Sequence, residues 1–170
     1  MDTFIEQIIK KQFGLKDYLI FAASILGGCV LILLSWAFVP SLSAFIFVAV
    51  CVGAYYLISS RNLEFEYTIT NGDISIDKII NRRNRKRVIS IDVHDIEAMG
   101  NYNLEEHSQK SYDARIFVSE NDSRKDTWYV AAHHPKKGSV LVVISPNEKV
   151  LAAIKPFLSR QVAINAFGRN

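Results

Sequence analysis

Charged side chains are absent from one long stretch of this sequence. Residues 18–60 contain no Asp, Glu, Lys, Arg or His, so all charges of the 170-residue chain lie outside them. A bilayer core about 30 Å thick is crossed by roughly 20 apolar residues in a helix, so the stretch is about twice too long for one span. Pro40 cannot continue a helical hydrogen-bond ladder and disfavours helical dihedrals at Val39. The sequence therefore predicts two membrane-spanning helices, residues 18–39 and 41–60, joined by a short uncharged loop.

Recognisable catalytic and metal-binding residues are also scarce. Both cysteines lie in the predicted spans, where a thiol acts as a small apolar group, and they form no framework for disulfides. The neighbours His133 and His134 would point to opposite faces of a strand, and His94 and His107 have no ligands at metal-binding spacing. No phosphate-binding glycine loop, nucleophile elbow or zinc-protease motif occurs. The sequence therefore predicts no enzyme, no metal site and no cofactor.

The charges that flank the uncharged stretch predict its orientation in the membrane. Lys10, Lys11 and Lys16 precede the first span, Arg61 follows the second, and the linking loop carries no charge. Because Lys and Arg favour the cytoplasmic side, we expect a cell-membrane protein with two spans and both termini in the cytoplasm. A cleaved signal peptide would have a much shorter apolar run, so that alternative is rejected.

Small residues recur four positions apart in both predicted spans. Such pairs let two helix backbones approach closely in lipid, although glycine and alanine are also common in membrane helices by chance. The pattern favours packing of the two spans against each other. The pairs are Ala23 with Gly27, Ser24 with Gly28, and Ala49 with Gly53.

Residues 1–17 form an amphipathic arm before the first predicted span. Thr3 and Glu6 have the spacing of a helix-capping box, and an apolar stripe that includes Ile5 and Ile9 follows. The pattern predicts a short helix, with Gly14 as its joint to the first span. That helix either lies in the membrane interface or packs on the domain after the spans, and the sequence leaves both open.

The apolar pattern changes to period two after the second span, which predicts a cytoplasmic β-rich domain over residues 61–170. Polar and apolar residues alternate from Leu63 to Thr70, as in a half-buried strand, and Asn71-Gly72 is a strong hairpin signal. A less regular segment and a polar loop occupy residues 93–111. Further strands, separated by turn-forming residues, are predicted at residues 74–80, 87–93, 112–120, 126–133 and 139–145.

The period becomes helical near the C-terminus. Ser145 and Glu148 have capping-box spacing, and Pro146 suits the first helical position, so we expect a helix to begin there. Pro156 should end or kink this helix near Lys155. The apolar stripe available for burial consists of Val150, Leu151, Ile154 and Leu158.

This order of elements resembles that of bacterial membrane proteins with a pleckstrin-homology-like (PH-like) domain. The resemblance rests on the arm, the two spans, the segment EYTITNGDISIDKIINRRNRKRVISIDVHDIEAM and the terminal SPNEKVLAAIKPFL. More narrowly, the chain is similar to a family of small two-span membrane proteins from Gram-positive anaerobes. The resemblance implies an α+β fold, in which a PH-like barrel or sandwich of about seven antiparallel strands carries a C-terminal helix. Another all-β sandwich or small barrel is the alternative fold.

A basic cluster interrupts the second predicted hairpin. Five of the seven residues from 81 to 87 are basic, and none is acidic. If the first strand rises from the membrane, its antiparallel return brings this cluster back to the headgroups, where each Lys or Arg contributes about 1 kcal/mol. A solvated turn is the alternative, and nucleic acid is disfavoured because the aromatic residues lie in strands. The candidate contact residues for an anionic lipid or an acidic partner are Lys78, Arg82, Arg83, Arg85, Lys86 and Arg87.

The sequence thus favours a membrane-anchored interaction or scaffolding module whose protein partner it does not identify. The expected partners are the lipid bilayer, its anionic headgroups and a protein, with no nucleic acid. The alternative is an accessory subunit of a transport, secretion or envelope-stress complex that acts through its two spans.

Overall fold

A computed structural model describes residues 3–120 and 127–168 of the chain. Eight strands in the described residues form two four-stranded sheets, ordered β1-β2-β3-β4 and β5-β7-β8-β6, around one core. The predicted α+β, PH-like fold class is confirmed, as a sandwich rather than a closed barrel. The elements are β1 (Phe4–Lys10), α1 (Leu15–Phe38), α2 (Ser43–Ser60), β2 (Leu63–Thr70), β3 (Asp73–Ile80), β4 (Asn84–Asp92), β5 (Ile96–Asn101), α3 (Leu104–Ser108), β6 (Ala114–Val118), β7 (Trp128–His134), β8 (Gly138–Ile144), α4 (Glu148–Ile154) and α5 (Arg160–Phe167).

The N-terminal arm is a strand, so the predicted capped helix is wrong. β1 pairs antiparallel with β2, from Phe4 opposite Thr70 to Lys10 opposite Glu64. Ile9 is buried in the core, and Ile5 packs against it. The segment forms a strand despite its local helix signature, because the edge of β2 presents a row of backbone donors and acceptors that need partners. The arm therefore packs on the domain, which is one of its two predicted locations, but it does so as a strand and not as a helix.

The two long apolar helices lie where the sequence places them. α1 ends at Phe38, a short 3-10 turn spans Pro40–Leu42, and α2 begins at Ser43. Proline at the first position of the turn explains the break, because its missing N–H needs no partner there. Both helices are long and apolar enough to be candidate membrane spans.

Only part of the predicted small-residue packing is found between α1 and α2. A Cβ atom on Gly28 would lie 2.8 Å from Val50 Cγ1, so glycine is needed for this close approach. A Cβ on Gly27 or Gly53 would meet nothing within 4 Å. The predicted close packing of these two glycines is therefore wrong. Gly27 adjoins Gly28 but faces another way, because consecutive residues on a helix point in directions about 100° apart.

The first sheet is built from consecutive hairpins. Asn71 and Gly72 both have positive φ, 50° and 95°, in the two-residue β2–β3 turn that the sequence predicts. The second hairpin joins β3 to β4, with a bulge between Ile76 and Asp77. Apolar residues of β1 to β4 at alternate positions face the core, and the other face of this sheet carries mostly polar side chains.

The second sheet corrects the expectation that all strands are antiparallel. β6 pairs parallel with β8, from Ala114 opposite Val140 to Val118 opposite Ile144. The strand order β5-β7-β8-β6 places β6 at the outer edge of β8, and the two strands run in the same direction. β5 and α3 lie in the segment predicted to be irregular or loop. The turn predicted between the strands at residues 112–120 and 126–133 lies outside the described residues.

The C-terminal region contains two helices where one was predicted. Asn147, rather than Ser145, caps α4, and its side chain accepts a 2.9 Å hydrogen bond from the Val150 N–H. α4 gives way to a 3-10 turn at Lys155–Phe157, so the predicted end before Pro156 is confirmed. Ser159 then caps α5, which packs against β5. The Ser159 cap allows a new helix to begin after the proline.

The hydroxyl of Tyr67, a residue of the first sheet, links the two sheets by hydrogen bonds inside the core. It donates to the Val118 carbonyl at the end of β6 and accepts from the Ser145 N–H at 3.1 Å. The side chain is almost fully buried, and burial raises the pKa of Tyr67 well above its ordinary value. Tyr67 therefore stays neutral and satisfies one acceptor and one donor where the second sheet ends.

Replacing Gly28 with leucine should disturb the contact between α1 and α2. Because the first added carbon already meets Val50 closely, we expect G28L to destabilise the helix pair by about 1–3 kcal/mol, which is typical of overpacking. The thermal unfolding midpoint of the full chain in detergent should fall. The matched variant G27L adds the same volume at an open position and should leave the midpoint unchanged. An equal effect of both variants would contradict the observed helix contact.

Candidate functional site

The turn between β3 and β4 lies beside the end of α2. The Asn81 N–H donates a 2.8 Å hydrogen bond to the carbonyl of Asn62, two residues beyond α2. Asn81 and Arg82 have positive φ, 49° and 55°, so the chain reverses tightly there. The strand lengths predicted this placement, because β2 leaves the helix end and β3 returns to it.

Only part of the predicted basic loop is loop. β4 begins at Asn84, so Arg85, Lys86 and Arg87 belong to a strand, and the turn is confined to residues 81–83. Strand pairing extends further than predicted because Asn84 already pairs with Ile80. Alternation along β4 sends Arg85 to the outer face of the sheet and Lys86 to the opposite face. The six predicted contact residues therefore do not form one continuous patch.

Three of the arginines are paired with carboxylates of the same sheet. Arg82 Nε lies 3.0 Å from Glu64 Oε1, and Arg85 Nη2 lies 2.5 Å from Glu66 Oε2. Arg87 pairs with Asp77 and also donates a 3.0 Å hydrogen bond to Ser75 Oγ. All three carboxylates are buried on the outer face, so these arginines neutralise charges that would be costly to leave alone.

Glu66 occupies the centre of this row of carboxylates. Burial raises the pKa of Glu66, the positive charge of Arg85 opposes that effect, and the neighbouring Glu6 and Asp77 raise it further. The carboxylate is 3% exposed, so Arg85 is its principal counter-charge. Sequence reasoning missed this role because an alternating polar position does not show which acid a distant arginine reaches.

Arg83 and Lys86 are the basic residues of the cluster that remain exposed without an ion pair within the described ranges. Lys86 lies directly opposite Lys78, which is half-buried and opposite Phe65 on its other side. Two like charges at directly opposite positions repel each other. The arrangement leaves a small positive surface at the helix end of the sheet.

A second cluster, which sequence reasoning missed, surrounds His107. Its ring stacks on that of Tyr102, with 5.6 Å between the ring centroids. The ring centroids of His107 and Tyr129 are 4.1 Å apart. Nδ1 is 3.0 Å from the Tyr112 hydroxyl, while Nε2 is buried without a hydrogen-bond partner. Arg115 donates to the carbonyl of His107 and to that of Lys110, at 3.1 and 2.7 Å. The only sequence signal was a tyrosine five residues on each side of the histidine.

Burial controls the protonation of this cluster. It lowers the pKa of His107, with Lys110 acting in the same direction, and it raises the pKa values of Tyr112 and Tyr129. All three groups are therefore neutral near neutral pH and act as hydrogen-bonding and packing groups. Tyr129 also lines a groove of about 640 Å³ between β5 and α5, together with Glu97 and Glu106.

The remaining histidines lie apart from this cluster. His94 Nδ1 is 2.7 Å from Asp92, whose pKa is lowered by the His94 N–H and ring. His133 and His134 are consecutive residues at the end of β7. Within residues 3–120 and 127–168, no group of three or more His, Cys, Asp or Glu side chains is placed to hold a metal ion.

Comparison with known proteins identifies a protein family. A family model described as a bacterial PH-like domain (DUF6106) matches residues 1–164. No curated protein and no solved structure matches the chain. The matched range includes the N-terminal strand, both apolar helices and the two sheets.

The buried histidine predicts a loss of stability in acid. Because the pKa of folded His107 lies below its ordinary value of 6.5, the unfolded chain binds the proton more readily. The stability gained by keeping the ring neutral is complete above about pH 6.5 and is lost as the pH falls. We expect H107F to flatten the dependence of the unfolding midpoint on pH between about 7.5 and 5.

The exposed His133 provides the matched control for this measurement. H133Q removes a histidine from the surface of the same domain and should keep the pH dependence of the wild type. If H107F and the wild type lose the same stability in acid, His107 does not carry this dependence.

Proposed function

The chain belongs to the bacterial PH-like domain family (DUF6106), and on that premise we propose that it is a membrane-anchored interaction module. The helices α1 and α2 span the cell membrane, and the two sheets stand on its cytoplasmic side. There the domain holds a binding surface at the inner leaflet and recruits a protein partner. The narrower resemblance, to two-span proteins of Gram-positive anaerobes, stays a prediction.

The exposed apolar surface of the helices carries the proposal. Leu26, Leu33 and Trp36 on α1 are 68, 68 and 74% exposed, and Phe45 on α2 is 74% exposed. A soluble protein does not keep so large a contiguous apolar surface in water, whereas a bilayer covers it. α1 contains 24 residues, so its length of about 36 Å is enough to cross a hydrocarbon core of about 30 Å.

The strand pairing supports a two-span topology. β1 precedes the helices and β2 follows them, and both belong to one sheet, so the chain leaves the domain and returns to it. Two crossings satisfy that requirement. The lysines before α1 and Arg61 after α2 favour the cytoplasmic side for the domain and for both ends of the chain.

The small positive surface beside the helices supports a contact with anions at the inner leaflet. Arg83 and Lys86 are exposed there, and Lys86 faces Lys78 across the strands. An anion between the two lysines would relieve their repulsion, and each basic residue near an anionic leaflet contributes about 1 kcal/mol. Arg82, Arg85 and Arg87 contribute less, because carboxylates of the sheet already pair with them. An anionic headgroup or an acidic segment of a partner fits this surface.

A second candidate function places the essential contacts in the membrane. Gly27 and Gly53 leave open space beside the helices, so another helix could approach them closely. The protein would then be an accessory subunit of a transport, secretion or envelope-stress complex. Replacing residues 15–60 with an unrelated two-span hairpin separates the candidates, because β1 and β2 are retained. If the exchanged chain replaces the native protein in cells without loss of its cellular function, the result supports the interaction module. Loss of that function supports the membrane subunit.

Labelling of single cysteines tests the proposed topology. In a chain whose native Cys29 and Cys51 are replaced by alanine, S41C lies in the loop between the helices and H133C at an exposed position near the end of β7. We expect a membrane-impermeant thiol reagent to label S41C in intact cells and H133C only after lysis. The chain should also stay in the membrane during carbonate extraction.

The reverse labelling pattern would place the domain outside the cell and contradict the proposal. Release by carbonate would show that α1 and α2 do not span the membrane. H94C, on the same domain, is a second reporter that must agree with H133C.

A further inference from the structure

The outer edge of β4 is open over the second half of the strand. β4 lies at one edge of the first sheet, and β3 is the one described element that packs extensively against it. Alternate residues of an edge strand direct their backbone N–H and C=O groups away from the sheet. Among the described residues, the only hydrogen bond to these outer groups is the 3.1 Å bond from Lys137 Nζ to the Val88 carbonyl. Residues 89–92 therefore present backbone donors and acceptors that no described residue pairs with.

The first half of β4 is protected against pairing with another strand. Residues 85–87 are basic and exposed, and charged side chains at an edge hinder the approach of a second strand. The bulge leaves Val88 without a partner residue on β3, and Lys137 already donates to the Val88 carbonyl. The available stretch is thus confined to residues 89–92, at the end of β4 away from the helices.

A cavity of about 500 Å³ lies beside this stretch. Residues 88–92 line one side of it, and residues 133–136, where β7 turns toward β8, line the other. Ile89 and Ile91 are buried in the core, so the backbone between them is held in place. The volume is in the range of binding clefts in proteins, so a short stretch of extended chain fits beside the strand.

Three exposed carboxylates line the cavity and outnumber its free cations. Asp73 lies directly opposite Asp92, and Asp95 follows on the next turn. The side chains of Asp73 and Asp95 form no hydrogen bond or ion pair among the described residues. Arg87 is already held by a carboxylate of β3, which leaves Lys136 as the one lining cation without an ion pair in the described chain. The excess of acidic groups favours a basic side chain in the occupant.

The described residues next to the undescribed segments lie away from this cavity. Trp128 is the first residue of β7, at the opposite end of that strand from His134, which lines the cavity. Phe167 contacts Trp128, with ring centroids 5.3 Å apart, so the end of α5 lies there too. Thr3 precedes β1, at the opposite edge of the first sheet from β4. The excess of carboxylates therefore rests on residues that the structure describes.

Membrane anchoring disfavours a second copy of the chain as the occupant. β4 begins beside the end of α2 and runs away from it, so copies that span one membrane direct their β4 strands the same way. Pairing of these strands would place Arg85 of one copy near Arg85 of the other, and Asp92 near Asp92, and like charges at facing positions repel. The acidic end of β4 also disfavours contact with an anionic leaflet. A segment of a cytoplasmic protein meets neither obstacle.

We propose that residues 89–92 pair with an extended segment of a cytoplasmic protein that carries a basic side chain beside Asp73 and Asp95, an inference that rests on the proposed interaction module. Backbone hydrogen bonds to a sheet edge give such a complex its affinity, and side-chain contacts give it selectivity. Antiparallel pairing, the commoner kind, places the N-terminal end of the segment beside Asp92, where β4 ends. The basic residue therefore lies near that end of the segment.

Fluorescence anisotropy with the full chain in detergent tests the charge preference. The probe is the labelled peptide KKTVTVTV, which has basic residues at its N-terminal end and an extended alternating sequence, and EETVTVTV reverses its charge. We expect tighter binding of KKTVTVTV at low ionic strength, and a loss of about fivefold in D73N/D95N. The control E105Q/E148Q removes the same charge from exposed positions elsewhere on the domain and should bind like the wild type.

Two methylated forms of KKTVTVTV test the backbone pairing. One form carries N-methyl groups on its threonines and the other on its valines, and each methyl group removes a backbone donor. Because only alternate residues of a paired strand direct their N–H groups to the neighbour, we expect one form to lose binding and the other to keep it.

Four results would overturn the assignment. Equal or absent binding of KKTVTVTV and EETVTVTV removes the preference for a basic segment, and an equal loss in E105Q/E148Q reduces it to overall charge. Equal binding of both methylated forms excludes strand pairing. A disulfide-linked dimer of S90C in membranes, with the native cysteines replaced by alanine, would assign the edge to a second copy. Peptide binding is measured in detergent, so its failure leaves the membrane topology, tested by cysteine labelling, unaffected.

Discussion

The pairing of β1 with β2 is the constraint on which the rest of the structure depends. Seven consecutive residue pairs join the segment before the helices to the segment after them. The helix pair is thus an insertion into a β-hairpin, tied to the sheet by connections of four residues at one end and two at the other, residues 11–14 and 61–62. Asp17 strengthens the junction, because it accepts from the Gly14 N–H at 3.1 Å and lies 3.8 Å from Arg61.

This arrangement determines which charges are available to ligands. With β1 and β2 side by side, the outer face of the first sheet carries a row of buried carboxylates that needs compensation. Arg82, Arg85 and Arg87 provide it from the second hairpin, so much of the apparent basic cluster serves the stability of the sheet. Lys10 near α1 and Lys86 near the β3–β4 turn remain as exposed cations at the two edges of the sheet.

Local signals predicted the parts of the fold that local chemistry determines. Pro40 marks the break between the helices, Asn71-Gly72 makes the first hairpin, and Pro156 ends α4. Partners distant in sequence determined the rest. The arm is a strand because it pairs with β2, more than fifty residues later, and β6 lies parallel to β8, which follows it in the sequence only after β7. Local periodicity cannot reveal either pairing.

The candidate sites follow the same division. Composition identified the basic residues, yet the assignment of Arg85 to Glu66 required the register of three strands. The environment of His107 combines tyrosines from positions 102, 112 and 129. No short motif contains these groups, because the fold alone brings them together.

A disulfide between β1 and β2 tests the central claim most directly. Phe4 and Thr70 are opposite each other and exposed, so F4C/T70C, with the native cysteines replaced by alanine, has geometry suited to a bond. The pairing predicts an intramolecular disulfide in membranes under mild oxidation. The control K10C/T70C, six residues or about 20 Å out of register, should form none. Absence of the bond in F4C/T70C, or equal yields in both variants, would contradict the insertion of the helices between β1 and β2.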